Sequence, residues 1–197
     1  MRHLADVFLD SGTDITTTLR ALVATSEFQQ SAGRKVRTPI EDLVATCRVM
    51  QVQASRPTRS TSFATAIAWI HQSMLLDQWP RPDGPPDHGA AWASASRMLS
   101  SFRMHWQLGA GYYPKLDVTY RTPRAWLPQK RIRLDKYVDH MCRMLLGRGA
   151  TSRDLTAVLQ ATGRKPGEIV TAKHPLARHL FVRMVATLLD SPTHMSR

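Results

Sequence analysis

The stretch WPRPDGPPDHGAAW, Trp79 to Trp92, cannot be helical, and the rest of the chain reads outward from it. Pro80, Pro82, Pro85 and Pro86 each lack an N–H and push the preceding residue out of the α region. On both sides the sequence turns helical. The pattern is therefore helices flanking one long, conformationally fixed loop with tryptophan at each edge.

N-terminal to the loop, Leu4, Val7 and Phe8 recur at helical spacing until Gly12. Thr13 or Asp14 can cap a second helix whose Ile15, Leu19, Leu22 and Val23 share a face. Thr38-Pro39-Ile40-Glu41 is a capping box with proline at the first helical position. Ile40, Leu43, Val44 and Cys47 follow it as an apolar stripe. A further helix is expected over 63–76.

C-terminal to the loop, Ala95, Met98, Leu99, Phe102 and Trp106 are read as the apolar stripe of a helix ended by Gly109 and Gly111. Residues 112–133 form a long irregular segment whose aromatic content favours packing over a core. A helix over 136–146 buries Val138, Met141, Cys142 and Leu145 before Gly147. Thr151 to Asp154 starts another, closed by Gly163. Pro175 opens a last helix over 176–189, with Leu176, Leu180, Met184 and Leu188 inward, and the tail after Pro192 reads as polar. No stretch alternates with period two for long enough to read as a strand. The fold class is all-α: an irregular helical bundle of seven or eight helices with long proline- and aromatic-rich loops. It reads as one helical domain over 1–197, with segments 1–109, 110–133 and 134–197.

The chain has 197 residues and 43% hydrophobic content, enough for a core, and a net charge of +12. No apolar run approaches the roughly 20 residues of a membrane span. The N-terminus lacks the apolar core of a signal peptide, so the chain as given reads as cytoplasmic. Cys47 and Cys142 fall on separate helices and read as buried free thiols, not a disulfide framework.

Chemistry-bearing patterns are sparse. There is no HExxH, CxxC, GxSxG or Walker loop, and no cofactor is indicated. His71, His88 and His105, with Asp83 and Asp87, are the residues of the loop and its flanking helices that would make a metal site if they converged. Trp79, Asp83, Asp87, His88, Trp92 and Trp106 are the candidate ligand-binding residues. Their competing role is to anchor the loop on the helices beneath it. Arg121, Arg124, Lys130, Arg131 and Arg133, interleaved with Tyr120 and Trp126, resemble a single-strand binding surface. The opposing reading is a solvated loop with docked aromatics.

Several stretches together identify a family. These are Ser26-Glu27-Phe28, Val36 to Glu41, the proline–tryptophan loop, Met98 to Trp106 (MLSSFRMHW) and Asp190 to Met195 (DSPTHM). The chain resembles the bacterial family called domain of unknown function 1800, over its whole length. The resemblance implies a helical fold and no established activity. It places the chain in the C-terminal half of a longer architecture, which would be exported where a secretion signal precedes it. It also implies a sulfatase-like protein as a partner, and an apolar face left uncovered on the first helices.

Three functions follow as expectations. The first is a helical module binding a protein or a glycan, without catalysis of its own. The second is a metal-assisted, hydrolase-like enzyme at the 79–92 loop. The third is non-specific nucleic-acid binding through the positive charge.

Overall fold

Thr38 to Glu41 starts a helix as its side chains dictate. In the computed structural model Glu41 Oε2 accepts from the Thr38 N–H at 2.9 Å, and Thr38 Oγ1 accepts from the Glu41 N–H at 3.3 Å. This reciprocal pair satisfies two N–H groups that a helix start leaves open. The structure describes residues 2–56 and 89–196, with Phe63, Pro82, Gly84 and Pro86. The helix expected over 63–76, together with His71, Trp79, Asp83, Asp87 and His88, lies outside the described residues.

The described chain is mostly helical, with two small two-stranded sheets. It forms two compact units, Met1–Lys35 and Val36–Ser196. The first holds α1 (Arg2–Asp10), α2 (Ile15–Ala24) and α3 (Ser26–Gln29). Asp14 caps α2 by accepting from the Thr16 and Thr17 N–H groups. No residue of these three helices is buried, and Leu9, Ile15, Leu19 and Val23 stand exposed.

The second unit begins with α4 (Pro39–Val49), followed by α5 (Ala95–Ala110), α6 (Leu134–Leu146), α7 (Ser152–Thr162), α8 (Phe181–Leu189) and the single-turn α9 (Pro192–Met195). β1 (Gln53–Ala54) pairs antiparallel with β2 (Val118–Thr119), and β3 (Ile132–Arg133) with β4 (Ile169–Val170). These short ladders pin the 112–133 segment at 118–119 and at its C-terminal end. Gly111 and Gly147 take left-handed φ of 66° and 70° and end α5 and α6, a conformation glycine adopts without Cβ strain.

The core gathers around α8, which packs on α5, α6 and α7. Met141, Phe181, Met184 and Leu188 are fully or almost fully buried. Gly109 lets α5 approach α8, since a Cβ there would stand 3.2 Å from Val185 Cγ1. The long 112–133 segment packs as its aromatics suggest. Trp126 is fully buried against Phe181, their ring centroids 6.1 Å apart. Cys47 is partly buried, Cys142 is buried and both are free, with burial pushing the thiols up to about 11 and about 12. No helix among the described residues is long and apolar enough to cross a membrane.

Three expectations are corrected. α5 does not bury Ala95, Leu99 and Trp106. Its inner face is Arg97, Ser101, Met104, His105 and Leu108, while Leu99 is 67% exposed. Both sets repeat at helical spacing, and polar partners elsewhere in the unit choose the less apolar one. The helix expected over 176–189 is split. A 3-10 turn over Pro175–Ala177 ends at Arg178, whose φ of −141° and ψ of −119° break the helix, and α8 begins at Phe181. Leu176, Leu180, Met184 and Leu188 are nevertheless all buried. The tail is not a solvated polar end, because His194 and Met195 are buried in α9.

α7 carries a second capping box, Thr151 with Asp154. Asp154 also takes two hydrogen bonds from Arg148, at 2.7 and 3.3 Å, and Arg148 donates to Thr193 Oγ1 in α9 at 2.9 Å. The Arg148 hydrogen bonds, outweighing burial and aided by Thr151, pull the Asp154 carboxyl down to about 2. A folded-state value below the unfolded one of about 3.9 means stabilisation that is complete above pH 4 and lost as pH falls through 2. About 2 kcal/mol is expected from a shift of this size. Asp154→Asn should therefore lower stability by about that amount at pH 7 and leave the two proteins nearly equal near pH 2, as read by urea denaturation at each pH.

Candidate functional site

Three helices far apart in sequence bring their polar residues to one buried point. α4 contributes Asp42, one residue past the capping glutamate, and Thr46 one turn on. α5 contributes Arg97, Ser101 and His105, spaced by four so that they line one side of the helix. Asp190, the residue that ends α8, and His194 in α9 complete the set. Asp42 and His105 have no exposure to solvent and His194 only 2%.

The contacts are close. His105 Nε2 lies 3.1 Å from Asp42 Oδ1, and His105 Nδ1 lies 2.7 Å from Asp190 Oδ1. His194 Nε2 is 3.5 Å from the same Asp42 Oδ1 and 3.0 Å from Thr46 Oγ1. The two imidazole rings meet edge to face with centroids 5.3 Å apart. Arg97 donates through one terminal nitrogen to Asp42 Oδ2 at 3.4 Å and to the Arg37 carbonyl at 2.9 Å. Arg37 Nε in turn donates to the His194 carbonyl at 2.6 Å, and the Arg37 N–H to the Met195 carbonyl at 2.9 Å. The chain leading into α4 is thus stitched to α9.

The electrostatics follow from burial against pairing. Burial works to raise the Asp42 pKa. Hydrogen bonds from His105, His194 and Ser101 and the His105 charge outweigh it, and the carboxyl lies well below the ordinary range. Burial works to lower His105, but Asp190 and Asp42 win and raise it. His194 is lowered, by burial first and then by the neighbouring His105 charge, against the pull of Asp42.

This arrangement is a poor nucleophilic triad. A triad places the acid on one imidazole nitrogen and the hydroxyl on the other. Here Asp42 and Thr46 both face Nε2 of His194.

Of the residues singled out in the sequence, His105 is at this site. Trp92 is buried and its indole N–H donates to the Pro86 carbonyl at 3.0 Å, so its polar tip is engaged by the loop. Trp106, one residue from His105, points outward and is 39% exposed. His71, Trp79, Asp83, Asp87 and His88 are outside the described residues. Asp42, Asp190 and His194 are not among the sequence candidates. The available signal was that the stretches carrying the family resemblance include His105, Asp190 and His194, while Asp42 directly follows another.

A family model described as "Protein of unknown function (DUF1800)" matches residues 1–196. No curated protein and no solved structure matches the chain.

Proposed function

Because the chain belongs to the DUF1800 family, whose description carries no activity, we propose that it works as a helical interaction module and not as a catalyst. The observation that carries this reading is the placement of exposed aromatic surface. Trp106, Tyr112 and Tyr113 are 39%, 48% and 38% exposed and lie within eight residues at the C-terminal end of α5. Leu99 continues the stripe two turns earlier along the same helix. Exposed tryptophan and tyrosine, with the exposed Arg103 three residues before Trp106, have the composition of a protein-contact hot spot. Asp42, His105 and His194, by contrast, are buried.

A protein ligand is favoured over a glycan because the exposed side chains include the aliphatic Leu99 and Leu116 as well as the aromatics. The sulfatase-like protein implied by the family resemblance is the first bait to use. Trp106→Ala with Tyr112→Ala should weaken its capture by about 30-fold, the effect of losing a hot spot of roughly 2 kcal/mol. The melting temperature should stay within a few degrees, since both side chains are exposed. Unchanged capture by the double variant would sink this surface, and a glycan array run with the same pair separates the glycan alternative.

The two aromatics of the basic 120–133 stretch are held by the fold. Trp126 is buried, and the Tyr120 hydroxyl is bonded to the Pro114 carbonyl at 2.8 Å.

A further inference from the structure

We infer that Asp42, His105 and His194 form a binding site for one divalent transition-metal ion of the zinc class. The inference does not rest on the interaction reading above. It rests on how three ligand atoms from three separate helices are placed.

One oxygen of Asp42 and one nitrogen from each histidine lie within 4.8 Å of one another. Bonds of about 2.0–2.2 Å to zinc put neighbouring ligand atoms of a tetrahedral centre about 3.3–3.6 Å apart. The separations here are 3.1 Å from Asp42 Oδ1 to His105 Nε2 and 3.5 Å from Asp42 Oδ1 to His194 Nε2. Two imidazole nitrogens and a carboxylate oxygen are a donor set suited to zinc. Thr46 Oγ1, 3.0 Å from His194 Nε2, supplies a neutral oxygen at the edge of the cluster.

The surroundings aim the ligands as metal sites require. Asp190 takes up Nδ1 of His105 at 2.7 Å, which leaves Nε2 facing the cluster. Arg97 holds Oδ2 of Asp42 at 3.4 Å, which leaves Oδ1 as a single-oxygen ligand. Each ligand therefore has one donor atom turned inward, and two of the three have the other atom held from outside. The same residues also make a self-sufficient hydrogen-bonded network without an ion, and experiment separates the two.

The test uses the full chain, expressed and purified without chelator. Elemental analysis should find about one zinc per chain. After chelator dialysis, added Zn²⁺ should raise the melting temperature, and added Co²⁺ should give the intense visible bands of a tetrahedral centre. His194→Gln should bind at least about 100-fold more weakly, and Asp190→Asn about 10- to 100-fold more weakly. His174→Ala, at a histidine bonded to Glu168 away from the cluster, should bind as the parent does. Should His194→Gln fail to fold, the Asp190→Asn affinity decides in its place. A folded parent with less than about a tenth of an equivalent, before and after reloading, overturns the site. So does parental affinity in a folded His194→Gln.

Discussion

Asp42→Ala is expected to cost about 3–5 kcal/mol, the largest single loss the polar cluster allows. The carboxylate has no exposure and faces Arg97, His105 and His194 at once. Removing it leaves the buried Arg97 guanidinium without its carboxylate partner and takes away the acceptor that faces His105 Nε2. An uncompensated buried charge loses its hydration without recovering the attraction that offset it. Domains of this kind have about 5–15 kcal/mol in hand, so the variant should sit near its unfolding threshold at room temperature. Urea denaturation with chelator present reads the network apart from any ion. The midpoint should fall sharply while the slope stays unchanged. Pairing the change with Arg97→Met, which deletes the stranded cation, should recover part of the loss, because groups in one network do not add. A loss below about 1 kcal/mol for Asp42→Ala would mean that water reaches the cluster and screens it.

The cluster shows where sequence reasoning stops. Capping is local, so Thr38, the Thr13–Asp14 pair and Thr151 mark helix starts within a four-residue window, and the caps are found at Thr38, Asp14 and Thr151. The all-α class was legible for the same reason: the periodicity of the 136–146 segment and of Leu176, Leu180, Met184 and Leu188 is a property of neighbours in sequence. A site assembled from residues 42, 105, 190 and 194 has no such window. His105 was visible as a histidine of interest, but its expected partners were the histidines and aspartates of the proline loop. Asp42 sits with Glu41 in a helix's first turn, where acids are favoured anyway, and carries no signal of its own. His194 read as part of a polar tail. α5 makes the point most sharply. Hydrophobic periodicity chose the face with Leu99 and Trp106, which is the exposed one, because the inner face holds Arg97, Ser101 and His105 and looks like a surface. Apolar scoring inverts a helix whose buried side is a polar network, since the partners that make burial tolerable are invisible until the fold supplies them.

Trp126→Ala is expected to cost about 3–5 kcal/mol and to leave any binding of nucleic acid untouched. The tryptophan belongs to the basic, aromatic-interleaved stretch that resembles a single-strand binding surface. On that reading its ring would stack a base, and its loss would weaken binding while sparing the fold. Its position predicts the reverse. The indole is fully buried against Phe181, and the Arg121 guanidinium lies over it, 4.5 Å from the ring centroid. Deleting the ring opens a large cavity in the main core and frees the turn over Pro123–Trp126, while the surface charges stay where they were. The salt dependence of nucleic-acid binding, which counts phosphate contacts, should then be the same in folded variant and parent. Trp126→Phe sharpens the argument. The indole N–H is buried without a hydrogen-bond partner among the described residues. The substitution therefore gives up no bond and removes an unsatisfied donor. It should lose only part of the alanine cost, through the smaller ring volume. Alanine and phenylalanine costing the same would mean that the indole N–H, not the packed ring, holds this loop to the core. A loss of binding with stability intact would return Trp126 to the surface role its sequence neighbours suggest.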